Sequence, residues 1–350
     1  MKNAILCVLC LLLLCASCMA YAQNAENISI RMTFAGDVTL GSEEYLWDKS
    51  FSLVSFAEKQ GYDYFFKEVK PLFEMDDLTI VNLEGVLSDS AEDENTEKTY
   101  RFRGPAAFAQ ILSSGSVEMV NLANNHTLDY GERGYVDTCE ALDDAGIRRF
   151  GGGVVAVEEI RGIKLAFVGL SYTQDCEAER TWLQNEITRL KGEAGVSAVI
   201  FGYHGGTEYS EVRNENQEPL ASLAVDAGAD LVVMHHPHVV QGMDVRRNRT
   251  ILYSLGNFCF GGNKNVRAME SLIASATLTF SPDGTYLGPQ IDRYPAHISG
   301  TQPRSNYQPR LVTGADARRV MRLVQQDTGV DVRPFDEAAG FAGQAALWGE

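Results

Sequence analysis

Six apolar runs in this sequence end on side chains that can hold a divalent metal. Residues 28–35 lead into Gly36-Asp37, and residues 78–83 close on Asn82-Leu83-Glu84-Gly85. Residues 117–122 lead to Asn124-Asn125-His126, with Asp129 three places on; residues 196–203 lead to His204-Gly205-Gly206, with Glu208 beyond. Residues 231–234 run into His235-His236-Pro237-His238, and residues 250–255 into Gly256-Asn257. Five of the six histidines fall in these segments, which leaves His297 to a structural reading. A set that mixes carboxylate, amide oxygen and imidazole suits Zn, Mn or Fe better than Ca or Mg, which favour all-oxygen shells. A carboxylate between two ions, with imidazoles on each side, suits a hydrolytic centre that activates water and stabilises oxyanions.

Taken singly, the residues say less. Asp37 after a strand reads as a turn or helix cap, and Asn125 as a loop former whose coupling to His126 points to function. The two glycines after His204 admit close backbone approach. His235 and His236 project to opposite sides of an extended chain, so one of them is expected to bind, and His236 is preferred. The triple glycine at 151–153 lacks the spacing of a phosphate-cradling loop and reads as a turn.

Bringing six such ends together requires a sheet. The runs at 28–35, 78–83, 117–122, 164–170, 196–203, 231–234 and 250–255 have strand character. Many are near-continuously apolar, as expected for strands covered on both faces. Helix-period segments at 64–73, 105–112, 133–145, 179–193 and 218–227 lie between several of them. This alternation predicts an α/β layered fold, and open α/β sheets hold ligands beyond the carboxyl ends of their strands. Residues 271–280 and 286–294, joined through Ser281-Pro282-Asp283-Gly284, predict a hairpin that completes a second sheet. Beyond His297 the chain is rich in Pro, Gln and Ser, with a helix expected at 315–326 and then a peripheral Gly/Ala-rich tail. The acidic stretch at 89–97 reads as a solvated loop.

The 350 residues carry a formal charge of -17. Such acidity repels nucleic-acid phosphates, so no nucleic-acid partner is expected. A small anionic substrate stays compatible, because a bound metal reverses the local potential. Residues 1–22 open with Lys2 and an apolar run at 4–14 that is short for a spanning helix, the pattern of a signal peptide. Ala20-Tyr21-Ala22 offers small residues for cleavage, predicting an exported, extracytoplasmic chain; lipid attachment at Cys18, to the cell envelope, is the competing reading. Cys139, Cys176 and Cys259 form no CxxC and predict neither a disulfide framework nor a thiolate zinc site.

With these residues in view, the sequence resembles the CapA family, the poly-γ-glutamate capsule synthesis proteins of the calcineurin-like metallophosphoesterase superfamily. The matching segments are Phe34-Ala35-Gly36-Asp37-Val38, Val81-Asn82-Leu83-Glu84-Gly85, the stretch from Asn121 to Gly131, His204-Gly205-Gly206-Thr207-Glu208-Tyr209, the stretch from His235 to Gln241, and Tyr253-Ser254-Leu255-Gly256-Asn257-Phe258. They occur in order across roughly residues 28–295. The resemblance implies a metallophosphoesterase-like layered αββα sandwich with mixed sheets over residues 23–295, and a C-terminal extension at 296–350. It implies that Asp37 and His238 hold one metal, that Glu84 bridges, and that Asn125, His204 and His236 complete the second. His126 stands where a general acid would protonate the leaving oxygen, with Asp129 to orient it. Arg103 and Asn257 are the candidates for substrate contact, the bland reading of Arg103 being a surface arginine. One departure matters: the usual Asp-x-His opening is Asp37-Val38-Thr39 here, so the first metal lacks an imidazole. The implied function is an exported hydrolase, with one or two divalent ions (Mn, Zn or Fe), acting on a phosphoester or amide bond. Its substrate would be an anionic polymer or a phosphoester, in poly-γ-glutamate or related cell-envelope polymer production. Two alternatives share these residues: a non-catalytic accessory subunit of a membrane-bound polymer synthase, which the reduced first shell favours, and a phosphodiesterase unrelated to capsule.

Overall fold

A computed structural model describes residues 26–173, 176–192, 194–329, 335–336 and 338–341. The leader at 1–22, Cys18 included, lies outside the described residues. Sixteen strands are described. They are β1 (Ile28–Thr39), β2 (Leu78–Leu83), β3 (Val86–Leu87), β4 (Arg103–Gly104), β5 (Met119–Asn121), β6 (Arg148–Phe150), β7 (Ala156–Ile160) and β8 (Ile163–Ser171). There follow β9 (Ala198–His204), β10 (Leu231–His235), β11 (Met243–Arg246), β12 (Arg249–Leu252), β13 (Asn257–Phe260), β14 (Glu270–Phe280), β15 (Tyr286–His297) and β16 (Arg310–Leu311). The α-helices are α1 (Leu53–Gln60), α2 (Lys70–Phe73), α3 (Ala109–Ser114), α4 (Gly131–Asp144), α5 (Glu177–Gly192), α6 (Gln217–Ala227) and α7 (Gly314–Gln326). Among the described residues no helix is long and apolar enough to cross a membrane.

Two mixed sheets form the centre. The first runs β16-β15-β14-β1-β2-β5-β6, with β13 also on β1; the second runs β11-β12-β10-β9-β8-β7. Within them β1, β2, β5 and β6 are mutually parallel, as are β8, β9, β10 and β12. The period of two in a strand sorts their apolar residues into separate cores. In β8, Leu165 and Phe167 face the first sheet, while Ala166, Val168 and Leu170 face helices α5 and α6. In β10 the same split puts Leu231 and Val233 inside, and Val232 and Met234 outside. In β2, Leu78 and Ile80 meet the second sheet, while Val81 and Leu83 pack under the helical layer of α1 to α4. The result is the helix–sheet–sheet–helix sandwich that the resemblance implies. Burying one such aliphatic side chain contributes about 1.5–3 kcal/mol, so the near-continuous apolar runs dictate strands covered on both faces. Helix α7 adds Val320 and Val324 to the inter-sheet core.

The hairpin at 271–294 forms as β14 and β15, but it does not complete a second sheet. β14 pairs antiparallel with β1, from Ile28↔Phe280 to Phe34↔Ala274, and so widens the first sheet. β1 has only one edge on β2, and its buried N–H and C=O groups on the other edge need partners. The helix expected at 64–73 is also interrupted: a 3-10 turn covers Tyr62–Tyr64, and α2 begins only at Lys70. Pro71 lacks an N–H and fits only the first turn of a helix.

One break in β1 shapes the site. β14 accompanies it as far as Phe34, and β13 takes over at the Asp37↔Asn257 pair. Gly36 sits at that switch, where a Cβ would lie 1.9 Å from the Gly256 carbonyl oxygen. Only glycine lets the two chains approach this closely, and the Asp37 N–H then donates to Gly256 O at 3.0 Å.

Candidate metal centre

The inner faces of the strands turn polar at their carboxyl ends. Counting in twos along β9 from Ala198 and Ile200 reaches His204; along β10 from Leu231 and Val233 it reaches His235; along β2 from Leu78 and Ile80 it reaches Asn82. The parallel strands of both sheets thus deliver their last inward side chains to one buried edge. Asp37, Asn82, Glu84 and His204 are fully buried there, and His126, His235, His236 and His238 nearly so.

Asp37 and Glu84 are the two acidic poles. Asp37 Oδ1 accepts a bond from Asn82 Nδ2 at 2.8 Å, and lies 3.4 Å from His235 Nδ1. Its Oδ2 lies 3.2 Å from His238 Nδ1, whose ring also meets Asn257 Oδ1 at 2.9 Å. Glu84 has no such help: neither carboxylate oxygen has a hydrogen-bond partner. Around Oε1 stand His126 Nε2 at 3.7 Å and the Nε2 atoms of His204 and His238 at 3.8 Å. Asn125 Oδ1 and His236 Nδ1 lie 2.8 and 3.2 Å from His204 Nε2.

A buried carboxylate without a partner, facing three imidazole nitrogens, is costly as it stands and is what a cation would satisfy. The donors are imidazole, carboxylate and amide oxygen, so the residues fit a first-row divalent metal. Electrostatics agree. Burial pushes the Glu84 carboxyl up to about 8, against the pull of His238. Burial opposes charge on His238, but the carboxylates of Glu84 and Asp37 overcome it and raise the imidazole to about 9. Burial works against the Asp37 carboxylate too, and His235 and His238 outweigh it to hold Asp37 well below its ordinary value. Burial, with neighbouring His238, lowers His236 to about 4, and burial beside His236 keeps His204 well below its ordinary value. Protons on Glu84 and His238 thus stand in this pocket where a metal would supply positive charge.

On the β5 side, His126 Nδ1 meets Asp129 Oδ2 at 2.6 Å. Asp129 is fully buried; it accepts from the Phe102 N–H at 2.7 Å and is ion-paired to Lys98. Lys98 also donates to Asn125 O at 2.7 Å, and the Phe102 ring lies 4.4 Å from the His126 ring. Because a carboxylate only accepts, the imidazole proton sits on Nδ1, and Nε2 faces Glu84. Burial lowers the His126 pKa, although Asp129 opposes the shift.

The structure brings together Asp37, Glu84, Asn125, His126, Asp129, His204, His236, His238 and Asn257. It brings in His235 as well as His236, where only one of the pair was expected, because His235 pairs with His204 across parallel strands and shares its face. Arg103 is neither a surface residue nor a member of the cluster. Its guanidinium is 2% exposed, donates to Ser88 O at 2.9 Å, pairs with Glu44 at 2.8 Å and lies over Trp47. Asn257 orients His238 from within β13. Sequence reasoning named Asn82 at the end of its run but gave it no role of its own, although it stands two places before Glu84. It missed Lys98, which follows an acidic loop and carried no signal. Arg267, exposed and stacked 3.8 Å over the Tyr209 ring, is a further cation at the rim, since Tyr209 lies 5.9 Å from His238.

Residues 31–262 match the family described as "Bacterial capsule synthesis protein PGA_cap". The chain is 27% identical over 332 residues to the capsule biosynthesis protein CapA of Bacillus anthracis, covering 88% of this chain and 76% of that one. It is 26% identical to the PGA biosynthesis protein CapA of Bacillus subtilis, covering 65% and 62%. A probable polyglutamine synthesis accessory protein of Mycobacterium tuberculosis is 24% identical, covering 61% and 65%.

Proposed function

The chain belongs to the bacterial capsule synthesis family PGA_cap, and from that premise we propose that it is an exported metal-dependent hydrolase-like protein serving production of poly-γ-glutamate or another capsule or cell-envelope polymer. The polymer half of this reading rests on the family and on relatives named for capsule and PGA biosynthesis. Export rests on the leader pattern at 1–22. The hydrolase half rests on one observation: the buried, unpartnered carboxylate of Glu84 ringed by three imidazoles.

Asp37, Glu84, Asn125, His204, His236 and His238 would hold one or two divalent ions (Mn, Zn or Fe), which when bound polarise a substrate oxygen and activate water. The chain's own residues do the rest. His126 donates its Nδ1–H to Asp129, so Nε2 is the atom that would take the proton given up by the attacking water and pass it to the leaving oxygen. Asp129, fixed by the Phe102 amide and Lys98, stops the ring from turning. The Phe102 ring shields one side of the imidazole from water. Arg267 offers an anionic substrate a cation at the rim. A cavity of about 460 Å³, lined in part by Lys98, Asn124, Asn125 and Tyr135, gives room beside the centre for the rest of the substrate.

The test is metal analysis of the purified protein together with turnover of bis(p-nitrophenyl) phosphate and of a γ-glutamyl oligomer. His126→Ala is expected to keep the metal and lose turnover, whereas Glu84→Gln loses both. No bound metal and no turnover with Zn, Mn or Fe would overturn the hydrolase reading. One observation favours a second reading, a non-catalytic accessory subunit of a membrane-bound synthase: Thr39 stands where a metal-binding histidine is expected. Metal binding without turnover, together with co-purification of a synthase, would decide for it.

A further inference from the structure

The loop after β9 carries a carboxylate that the roles above leave unused. The Gly205 N–H donates to His235 O at 2.9 Å, and the Tyr209 N–H to Pro237 O at 2.7 Å. Both ends of the loop are thereby tied to the turn that holds His236 and His238. Gly206 has φ +134°, and a Cβ there would lie 3.0 Å from Pro237 Cγ, so glycine is needed for this approach. His236 and His238 themselves sit at φ +98° and +59°, values that non-glycine residues adopt only under constraint.

Between these anchors Glu208 is exposed, yet ligand atoms of Glu208, His236 and His238 all lie within 4.8 Å of one another. A second group with the same property, Asp37, Glu84 and His238, lies deeper and is buried throughout. Donors around one Zn ion each lie about 2.0–2.2 Å from it and so stand roughly 3–4 Å apart. Mutual separations within 4.8 Å are only slightly wider than that spacing, so a bound ion would draw the three donors together.

We propose that Glu208 ligates a divalent cation together with His236 and His238, making an outer metal position beside the buried one at Asp37 and Glu84. The proposal rests on the metal reading of the centre given above. It adds a carboxylate from the loop after β9 to a centre whose first strand has Thr39 where an imidazole is expected. The two groups share His238, so the positions are adjacent. The outer one faces solvent beside Tyr209 and Arg267 and is the first to meet an anionic substrate.

The experiment is Mn²⁺ binding to the full chain by equilibrium dialysis, with electron paramagnetic resonance on the loaded protein. The wild type is expected to bind two equivalents with a spin-coupled spectrum. Glu208→Gln is expected to bind one, with the six-line signal of an isolated ion, and Glu208→Asp to recover part of the second. Since Glu208 is exposed, the Gln variant should melt like the wild type in chelator, which guards against a folding artefact. Wild-type stoichiometry and affinities within threefold in Glu208→Gln would overturn the proposal and leave the metal reading intact. A wild type that binds none of Mn²⁺, Zn²⁺ or Fe²⁺ would overturn both.

Discussion

Replacing Glu84 by Gln removes the charge of the centre's least supported residue while keeping its shape. Its carboxyl is raised by burial from an ordinary value of 4.5 to about 8. A carboxyl with a raised folded-state pKa contributes stability that is present below the unfolded value and lost as pH climbs toward the folded one. By pH 7 the unfolded chain has ionised this group and the folded chain has not. The span of about 2.5 units from 4.5 to pH 7 corresponds to about 3.5 kcal/mol, at roughly 1.4 kcal/mol per unit. Part of that is lost again, because the Gln amide is itself buried without hydrogen-bond partners, and about 2 kcal/mol is the expected net gain. In chelator at pH 7, Glu84→Gln should therefore be more stable than the wild type, and the gain should shrink toward zero as pH falls to 4.5. Metal should reverse the order. At one hundred times its Kd, an ion that binds only the native state adds about 2.7 kcal/mol to the wild type, and the variant should gain little. Urea titrations with and without Mn²⁺, at pH 5 and 7, read both effects. A chelated variant that is less stable than the chelated wild type at pH 7 would refute the reasoning, since Glu84 would then be a stabilising residue rather than a cation ligand held at a cost.

Three further outcomes follow from the same contacts. Because protons hold the place of the metal around Glu84 and His238, loading should release at least one proton, and log K should rise by about one per pH unit between pH 6 and 8; calorimetry in buffers of different ionisation enthalpy checks this, and a pH-independent affinity counts against it. Asp77 joins the two sheets, accepting from the Arg31 N–H at 2.9 Å and from Arg161 at the β7–β8 turn at 2.7 Å. Burial works against its carboxylate, but those two partners outweigh it and hold its pKa below 3.8. Its stabilisation is thus present above that value and lost as pH falls through the folded pKa. Asp77→Asn should cost about 1 kcal/mol at pH 7, Arg161 being half exposed, and match the wild type near pH 2. A constant difference across that range in urea titrations contradicts the assignment. Finally, Arg103→Met should cost about 2 kcal/mol by stranding Ser88 O and unstacking Trp47, with KM for an anionic substrate unchanged, whereas Arg267→Ala should raise KM and leave stability alone; steady-state kinetics and thermal melts separate the two.

The fold was legible because the inter-sheet core and the two outer cores draw on alternate residues of the same strands, and that makes the strands near-continuously apolar. The site was legible one level up, as polar residues at the ends of such runs. What escaped was set by pairings between distant segments. β14 could not be assigned to a sheet from its own residues, because its place depends on the free edge of β1. Arg103 looked like a surface cation because nothing local announces that Trp47, Glu44 and Ser88 close over it. Lys98 gave no sign that the acidic loop before it folds back on Asp129.

His235 is the instructive case, because the information was present and the wrong rule was applied to it. Adjacent residues of a strand do point to opposite faces, which set His235 against His236. That rule holds only while the chain stays extended, and His236 stands just past the end of β10 with φ +98°. Counting in twos from Leu231 and Val233 puts His235 inside, next to His204 on the neighbouring strand, whatever the chain does next. The turn then swings His236 back toward the same edge. A run of histidines at a strand end is therefore better read in two steps, by strand parity up to the last paired residue and by turn geometry after it. Here both steps lead to the same pocket, which is how one short segment supplies three imidazoles to a centre whose first strand supplies none.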